Sequence, residues 1–313
     1  MKILLTSFGS FSGPCIAKSL KDNFNATIVA IDINDKPYLT GTEHIDTFIK
    51  APHSRNSHDY LDFLKATILN NEINYVLPLT DLEVDLLARN DSLTSETNTI
   101  ICMPNTGTIQ LCRDKSLWAC ILKEKGFNTI PTINREDLIK PTLPIVAKPK
   151  NGRSSQGFMK LNDTKSVAAL VENKHFDNYI FQPYISGKNY VVDAVRDFYG
   201  NCITVCREEI TRTSNGAGLS VLVRENEELS LITKRILAEL NIHGAINIEY
   251  LESEGIYYAM DINPRPSAGI EFSVLSGVDI PKHHIECFQR KKLPLDLSYP
   301  SKMYKTIYQR VVS

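Results

Sequence analysis

The sequence predicts an α/β fold with a doubly wound parallel sheet in its first hundred residues, followed by an α+β region. Up to about residue 105, short apolar segments of strand length alternate with helical patterns. This order is typical of a parallel sheet covered by helices. From residue 145 onward the strands come in succession and the helices come late. That order is typical of α+β folds.

The first region contains four apolar segments of strand length, at Lys2–Thr6, Thr27–Asp32, Tyr75–Leu79 and Thr99–Met103. Ser12-Gly13-Pro14 is expected to open a helix that runs to about Asp22, because proline is tolerated in the first turn of a helix. Ser57 is expected to cap a second helix, which carries an apolar stripe at helical spacing.

The second region opens with a helix predicted over Arg113–Lys125, followed by Gly126. Residues 128–144 contain three prolines and are expected to have little regular structure. The predicted strands are 145–149, 157–161, 179–182, 189–198, 202–210, 219–223, 244–251 and 256–262. The predicted helices lie near 227–240 and 279–290, and an irregular tail is expected after them.

The composition restricts the class of partner. The chain has 313 residues and a formal net charge of −1. This length suggests two domains at about 150 residues each. The charge balance gives no electrostatic reason to bind nucleic acid or an anionic membrane. No apolar run approaches the roughly 18 residues of a membrane span, and the first residues fit a strand better than a signal peptide. Seven scattered cysteines without a CxxC pair favour a reduced, cytoplasmic protein without structural zinc.

The clearest functional pattern is a pair of alternating strands at residues 244–251 and 256–263. One face of each strand is apolar. The other face carries Asn247 and Glu249 on the first strand, and Asp261 and Asn263 on the second. Carboxylate and amide oxygens are ligands suited to Mg²⁺. This face is therefore a candidate metal site, and a solvated outer face is the alternative.

The register of this hairpin decides whether the polar side chains meet. The apolar pattern favours a three-residue loop at Ser253–Gly255. Asn247 is then opposite Asp261, and Glu249 is its diagonal neighbour at roughly 7 Å. A two-residue loop without a bulge would place the two carboxylates on opposite faces.

Polar residues also follow the second strand. Asn263-Pro264-Arg265-Pro266 predicts an extended exit, because proline biases the preceding residue away from helix. Arg265 could hold a phosphate or a carboxylate in a bidentate grip. Residues 267–269 then lead into a helix, so amide donors are expected to point back toward the site.

Two other segments are weaker candidates for nucleotide contacts. Lys148 ends a buried strand, where a lysine is costly without an anionic partner. The small polar loop of residues 150–157 could fold its amides over phosphates, although it lacks the GxxxxGK[ST] pattern and a surface hairpin would look alike. Residues 179–190 predict a strand, a short turn and a second strand.

The N-terminal segment Ser7–Gly13 is similar to a dinucleotide-binding turn, and Asp32 ends the next strand. The GxGxxG pattern is not met, since only Gly9 and Gly13 are present. We therefore do not expect dinucleotide binding here. The histidines that stand near these elements are expected to be structural or exposed: His243, His283 and His284.

The order of these parts resembles the ATP-grasp superfamily, and particularly the ATP-binding halves of carbamoyl phosphate synthetase. Arg-Asp-Lys opens a helix at 113–115, a strand lysine and a loop follow, and an acid precedes Asp-x-Asn-Pro-Arg at 261–265. The resemblance covers roughly residues 108–290 and is especially close over 195–206. It implies a two-lobed ATP-grasp fold after the N-terminal domain. The expected domains are 1–105 (pre-ATP-grasp), 106–183 (central or lid lobe) and 184–313 (C-terminal lobe).

The resemblance also implies roles for individual residues. The ATP contacts would be Lys115, Lys148, Gly152, Ser154, Ser155, Gly157, Gln182, Pro183, Tyr184, Ile185 and Asn189. Residues 182–185 would supply the adenine hinge. Two Mg²⁺ ions, replaceable by Mn²⁺, would be bound by Glu249, Asp261 and Asn263. Arg265 and Arg212 would contact the reacting phosphoryl group or the substrate.

Three positions depart from the family pattern. Asp261 stands where glutamate is usual, so the metal ligand is one methylene shorter. Asn189 stands where a ribose-binding acid is expected, and Gln182 occupies a position that is often acidic in relatives. Since asparagine can still hydrogen-bond a ribose hydroxyl, we expect weaker ATP binding rather than its loss.

The activity that the resemblance implies is an ATP-dependent carboxylate–amine ligase. It would join a small-molecule carboxylate to an amine through an acylphosphate and release ADP and phosphate. The family is also compatible with a homodimer. Two alternatives stay open: a nucleotide-binding protein without catalysis, and an NAD-dependent oxidoreductase that uses the first domain.

Overall fold

The computed structural model describes residues 1–90, 92–152, 156–172, 176–214, 216–295 and 297–305. Within these ranges the chain forms three β-sheets. Each sheet lies inside one of the three expected domain ranges, while the domain limits themselves stay a prediction. None of the helices in the same ranges is both long enough and apolar enough to cross a membrane.

The first sheet has five parallel strands in the order β3-β2-β1-β4-β5, which confirms the predicted doubly wound sheet. Its strands are β1 (Lys2–Leu5), β2 (Thr27–Asp32), β3 (Thr47–Lys50), β4 (Tyr75–Leu77) and β5 (Ile100–Ile101). Its helices are α1 (Gly13–Phe24), α2 (Ser57–Asn71), α3 (Asp81–Ala88) and α4 (Ser92–Thr97). The strand order reverses between β1 and β4, so a crevice opens at the carboxyl ends of these two strands.

The helix predicted over Arg113–Lys125 is present but begins two residues later, at Lys115, and a helix that was not predicted precedes it. The two helices are α5 (Thr106–Arg113) and α6 (Lys115–Glu124). Asp114 lies between them and its side chain accepts hydrogen bonds from the Ser116 and Leu117 amides at 2.9 and 3.0 Å. Asp114 is therefore the N-cap of α6, which places Lys115 in the first turn. Similarly, Asn56 rather than Ser57 precedes α2.

The second sheet is antiparallel and has three strands in the order β7-β6-β8. Its strands are β6 (Ile145–Pro149), β7 (Met159–Leu161) and β8 (Tyr179–Pro183), with α7 (Thr164–Val171) between β7 and β8. The strand pattern did not predict α7. Its buried Val167 packs with Ile145, Leu161 and Phe181 in a small core of this sheet.

The third sheet is antiparallel and has six strands in the order β13-β12-β9-β10-β11-β14. Its strands are β9 (Lys188–Arg196), β10 (Cys202–Arg212), β11 (Gly218–Val223), β12 (Gly244–Ser253), β13 (Ile256–Asn263) and β14 (Lys302–Lys305). Its helices are α8 (Glu227–Glu239), α9 (Ile270–Leu275) and α10 (Ile280–Phe288). The tail was expected to be irregular, but β14 pairs with β11 along the edge of the sheet.

The two faces of the third sheet have different neighbours. One face packs its apolar residues, such as Ile248 and Tyr250, against residues of α6 and α8. The other face is apolar at one end, where Val195 and Ala245 join a core that includes Ile3 of the first sheet. Further along the same strands this second face becomes polar, and the candidate site lies there.

Candidate functional site

A cavity of about 630 Å³ lies between the second and third sheets. Lys148 and Gln182 line it from the three-stranded sheet, and Val191, Arg207 and Glu249 line it from the six-stranded sheet. The loop that follows β1 contributes Phe11 at the crevice of the first sheet. All three sheets therefore contribute residues to this cavity or its rim.

The cavity brings together most of the residues that the sequence singled out. They are Lys115, Lys148, Gly152, Gln182, Pro183, Tyr184, Ile185, Asn189, Arg212, Glu249, Asp261, Asn263 and Arg265. Gly157 does not line the cavity, although its neighbours Gln156 and Phe158 do. Ser154 and Ser155 lie outside the described residues. The roles assigned to all these residues stay predictions.

Strand register places the polar residues in rows across the third sheet. Arg207 is opposite Val191, Val191 is opposite Glu249, and Glu249 is opposite Asp261. In the adjacent row, Asp193 is opposite Asn247, which is opposite Asn263. Since side chains two residues apart on a strand share a face, both rows lie on the same face of the sheet, and all of their residues except Asp193 line the cavity.

The hairpin reaches this arrangement through a register that the sequence did not predict. Ser253 pairs with Ile256, so the loop has two residues, Glu254 and Gly255, and the predicted three-residue loop is wrong. Both loop residues have positive φ, at 53° and 78°, as two-residue hairpin turns of type I′ require. A register shift between Glu249 and Tyr250 then inserts Met260 as an extra residue.

This bulge restores the common face of the two carboxylates. Without it, the two-residue turn would send Asp261 to the side away from Glu249. With it, Glu249 and Asp261 are direct cross-strand partners, closer than the predicted diagonal pair. The predicted common face is therefore present, although both the loop length and the pairing differ from the prediction.

Each of the two carboxylates is bonded to a basic side chain of the same cavity. Lys115 Nζ lies 2.6 Å from Asp261 Oδ1 and donates a second hydrogen bond to the Gly152 carbonyl at 3.0 Å. Arg212 Nη2 lies 2.7 Å from Glu249 Oε2, and its Nε donates to the Gly216 carbonyl at 2.9 Å. The two carboxylates are therefore neutralised by residues of α6 and β10.

Lys148 is a partly buried cation of the second sheet. Its Nζ donates to the Met260 carbonyl at 3.4 Å, a long hydrogen bond to an uncharged partner. Burial lowers the pKa of Lys148 to about 8; the nearby Lys115 also lowers it, and Asp261 raises it. The hydrogen bond to Met260 offsets little of the solvation that the Lys148 ammonium group loses on burial. An anionic ligand in the cavity would therefore stabilise this group.

Arg207 and two carboxylates form a buried cluster at the cavity wall. Arg207 Nε donates to Glu209 Oε1 at 2.9 Å, and its Nη1 is bonded to Asp193, which also accepts from Ser273. Burial raises the pKa of Glu209, although Arg207 opposes this shift. Sequence reasoning missed Arg207 and Glu209. The available signal was their position in one strand-length segment with the apolar residues Ile203, Val205 and Cys206.

Arg265 is held by a residue of the first sheet's crevice. Its Nε and Nη2 donate to the two oxygens of Asp81, both at 2.8 Å, and Asp81 also accepts from Arg113 at 2.9 Å. Burial alone would raise the pKa of Asp81, but Arg265 and Arg113 bring it well below its usual range. Asp81 follows β4 and was not predicted, because only the tertiary fold brings α3 to residue 265.

Asn247 holds the chain in place where it leaves β13. Its Nδ2 donates to the Arg265 carbonyl at 3.2 Å, and its Oδ1 accepts from Asn263 Nδ2 at 3.2 Å. Asn263 therefore directs its amide nitrogen to Asn247, and its amide oxygen is the atom available to a metal ion. This pair fixes the backbone that presents Arg265.

Residues 182–185, the expected adenine hinge, form two hydrogen bonds with other parts of the protein. Gln182 Nε2 donates to the Ile130 carbonyl at 2.9 Å, and the Tyr184 amide donates to the Pro144 carbonyl at 3.0 Å. Both contacts tie the hinge to the connection before β6. Asn189 lines the cavity on β9, next to Val191 in the row of Arg207 and Glu249.

The N-terminal turn has a structural explanation. The Gly9 amide donates to Asp32 Oδ2 at 2.7 Å, and the Asn34 amide donates to Asp32 Oδ1 at 2.8 Å. A Cβ at Gly13 would lie 2.0 Å from the Phe8 carbonyl oxygen, so close packing accounts for this glycine. In a dinucleotide-binding protein, the carboxylate of Asp32 would bind the ribose. Here this carboxylate is hydrogen-bonded to the backbone of the turn.

The histidines and cysteines have structural surroundings. His284 bonds to the Ala245 amide and the Cys102 carbonyl at 2.8 and 3.1 Å, and burial lowers its pKa to about 4. His243 stacks on Phe198 with the ring centres 4.4 Å apart. All seven cysteines are free, and Cys202 and Cys206 are buried.

The candidate metal ligands supply only some of the oxygen atoms that a metal ion needs. Among the residues that the structure describes, no group of three or more His, Cys, Asp and Glu side chains could hold a metal ion. Glu249, Asp261 and Asn263 supply two carboxylates and one amide, all hard oxygen ligands. Mg²⁺ takes about six oxygen ligands and is commonly bound by one or two carboxylates together with phosphates. These residues therefore fit Mg²⁺ that arrives with a phosphate ligand.

Comparison with known sequences identifies similar proteins. A family model described as "ATP-grasp in the biosynthetic pathway with Ter operon" matches residues 175–307. The carbamoyl phosphate synthase large chain of a Thermoanaerobacter species is 27% identical over 221 residues, which are 63% of this chain and 20% of that protein. The large chain of Thermoplasma acidophilum is 30% identical over 141 residues, which are 41% of this chain and 14% of that protein. This chain thus spans a fifth or less of these relatives.

Solved structures with a similar fold cover nearly the whole chain. Biotin carboxylase of Campylobacter jejuni, in complex with β-γ-ATP, has a TM-score of 0.75 at 17% identity, with 93% of this chain and 72% of that chain covered. N5-carboxyaminoimidazole synthetase of Staphylococcus aureus, complexed with ADP, has a TM-score of 0.73 at 18% identity, with 94% and 78% covered. L-amino acid ligase of Bacillus licheniformis has a TM-score of 0.72 at 16% identity, with 92% and 74% covered. At these identities the likeness concerns the fold.

Proposed function

Because this chain contains an ATP-grasp domain, we propose that it is an ATP- and Mg²⁺-dependent ligase that joins a carboxylate to an amine through an acylphosphate. The observation that carries the proposal is the direct cross-strand pairing of Glu249 with Asp261 in a cavity that also contains Lys115 and Lys148. The two carboxylates can bind a metal ion, and the two lysines can bind the phosphates of a nucleotide.

The nucleotide would lie between the second and third sheets. Lys115 and Lys148 would bind its phosphates, Gly152 and the loop that contains it would cover them, and Asn189 would accept a ribose hydroxyl. The backbone of residues 182–185 would contact the adenine. The weak compensation of partly buried Lys148 supports its phosphate role, since an anionic phosphate would stabilise the charged ammonium group.

Glu249, Asp261 and the amide oxygen of Asn263 would hold Mg²⁺ together with the nucleotide phosphates. We propose two ions, with Mn²⁺ as a substitute. When bound, the metal neutralises the charge of the phosphates during transfer. The chain's own contribution is to fix the ligands: β12 and β13 set the two carboxylates opposite each other, and Asn247 orients Asn263.

The reaction has two steps. A carboxylate oxygen of the substrate bonds to the γ-phosphorus of ATP, and the bond from this phosphorus to the β–γ bridging oxygen breaks, which releases ADP. The amine nitrogen then attacks the carbonyl carbon of the acylphosphate, phosphate leaves with its bridging oxygen, and the nitrogen loses a proton. Arg265 and Arg212 would orient the carboxylate and the transferred phosphoryl group.

The proposal names only the chemical classes of the substrates: a small carboxylic acid and a small amine. The homologous and similar proteins act on different molecules, and this chain spans only part of the homologous ones. Reduced thiols and the absence of a membrane-spanning pattern in the sequence are consistent with a cytoplasmic ligase that uses small molecules rather than nucleic acid.

A second candidate is a nucleotide-binding protein without catalysis. Asn189 replaces the ribose-binding acid, and the Gln182 side chain is bonded to Ile130 rather than left for the nucleotide. This candidate predicts ATP binding without ADP release in any mixture of substrates.

The test is a screen for ADP release with ATP, Mg²⁺, and pooled carboxylic acids and amines. The ligase proposal predicts release that requires at least one carboxylate pool and increases with an amine pool. Tight ATP binding without ADP release in every pool would favour the non-catalytic candidate. Release that is independent of both pools would contradict the ligase proposal.

A further inference from the structure

The two carboxylates proposed for the metal are already paired with cations. Lys115 and Asp261 approach to 2.6 Å, with side-chain exposures of 10% and 23%; Arg212 and Glu249 approach to 2.7 Å, with exposures of 22% and 25%. Such partly buried ion pairs are screened much less than surface pairs. A metal ion that binds Asp261 Oδ1 and Glu249 Oε2, the oxygens held in these pairs, must displace both cations.

Both cations have second contacts that do not involve the metal carboxylates. Lys115 also donates to the Gly152 carbonyl at 3.0 Å. Arg212 donates to the Gly216 carbonyl at 2.9 Å, and its Nε lies 3.4 Å from Glu209 Oε2. Loss of the carboxylate partner would therefore leave each cation in the cavity, with one charged nitrogen freed for another anion.

The charge balance favours a metal ion that arrives with phosphates. The charged side chains that line the cavity are five basic and three acidic ones, with a formal sum of +2: Lys115, Lys148, Arg207, Arg212 and Arg265, and Glu209, Glu249 and Asp261. A bare divalent cation would raise this local charge to about +4, which is unfavourable. A nucleotide supplies the phosphate charges that offset it, and also the oxygen ligands that two carboxylates and one amide lack.

We propose that Lys115 and Arg212 are specificity-determining residues that exclude free divalent metal and admit it only as a metal–nucleotide complex. They are internal counter-cations of Asp261 and Glu249, and they pass from these carboxylates to the phosphates or the substrate carboxylate when the complex binds. The inference rests on the proposed nucleotide and metal site. It adds a binding order, because Arg212 is free for the carboxylate substrate only after the metal has taken Glu249.

The experiment measures binding of Mn²⁺ to the full chain by the electron paramagnetic resonance signal of the free ion, with and without ADP. Arg212→Gln and Lys115→Met each remove one counter-cation. Arg224→Gln is the matched control: this arginine is also bonded to a glutamate, Glu208 at 3.4 Å, but it does not line the cavity. Thermal unfolding checks that each variant is folded.

The expected result is a gain of metal binding. Without ADP, wild type should bind Mn²⁺ weakly, and Arg212→Gln or Lys115→Met should bind it at least about tenfold more tightly, because the ion no longer has to break that pair. Arg224→Gln should match wild type. With ADP, wild type should bind Mn²⁺ tightly.

Two results would overturn the inference: folded variants that bind free Mn²⁺ no more tightly than wild type, or a wild type that binds it equally well with and without ADP. The proposed function fails differently. If wild type binds no Mn²⁺–ADP complex, the nucleotide site is wrong, while a gain of free Mn²⁺ binding in Arg212→Gln would still support the counter-cation role.

Discussion

Glu249 and Asp261 are direct partners across β12 and β13, and each carboxylate is bonded to a cation from another part of the chain. The pairing depends on one extra residue, Met260, which turns the second carboxylate to the face of the first. The carboxylates are thus placed by the bulged β12–β13 hairpin, while the cations around them come from α6, β6 and β10.

The metal role of the hairpin predicts loss of turnover in variants of β13. Asp261→Ala or Asn263→Ala should give a folded protein whose ADP production falls by about 100-fold or more, the usual scale for removal of a transition-state contact. Steady-state ADP release with the substrates found in the screen measures this. Glu252→Gln, on β12 but outside the cavity lining, is the control. Near-normal turnover in both β13 variants would show that the metal assignment is wrong.

The pKa of Lys148, lowered to about 8 by burial, predicts a pH-dependent affinity for ATP. Below this pH the side chain carries the charge that phosphates require; as the pH rises through about 8, the free protein loses it and ATP binding must recover a proton. Calorimetric titrations between about pH 7 and 9.5 should show weaker ATP binding at the alkaline end, with proton uptake.

Lys148→Arg is the control for this titration, because arginine stays protonated over that range. Its ATP affinity should vary less with pH than that of wild type. Equal pH dependence in the two proteins would mean that another group causes the effect.

The two hydrogen bonds from Arg265 to Asp81 predict that Asp81, in the first region, positions Arg265 for the reaction. Asp81→Asn should lower the turnover number about tenfold or more, as misplacement of a reacting contact does, while the dissociation constant of ATP stays nearly unchanged. Asp85→Asn is the matched control, since Asp85 is bonded to Arg113 but not to Arg265. If the two variants lose turnover equally, Arg113 or general stability is responsible, rather than the contact with Arg265.

The hydrogen bond from Gln182 to Ile130 predicts that the acid often found at this position in relatives would be unfavourable here. Gln182→Glu removes the N–H donor and sets a carboxylate against the Ile130 carbonyl, so the free energy of unfolding should fall by about 1–3 kcal/mol. Urea unfolding measures it, with Gln156→Glu at the exposed rim as control. An unchanged or higher stability would mean that the amide has no structural role.

The sequence predicted the polar face of the hairpin but not its register. Alternation placed Asn247 and Glu249 on one face correctly, because that pattern is local. The Glu254-Gly255 turn and the bulge at Met260 compensate each other, so the incorrect loop length led to the correct face. Alternation alone cannot reveal a one-residue insertion in Ile256–Met260, where every residue is apolar or aromatic.

Contacts between distant elements account for the rest of what the sequence did not predict. Asp81 begins a helix in the first region, and nothing in its neighbourhood indicates that it meets Arg265, 184 residues later. Arg207 and Glu209 are buried charged residues of β10, and the contact of Arg207 with Asp193 depends on the β9–β10 register. The sequence therefore indicated the residues of the hairpin, including Asn247, but not the distant residues Asp81, Arg207 and Glu209.

The most direct test of the acylphosphate reaction follows oxygen from the carboxylate substrate. With a carboxylic acid from the screen labelled with ¹⁸O in its carboxyl group, the reaction should transfer one ¹⁸O atom to the inorganic phosphate for each ADP formed, as mass spectrometry of the phosphate would show. Unlabelled phosphate released with the ADP would mean that water rather than the carboxylate receives the phosphoryl group, and would contradict the proposed ligase.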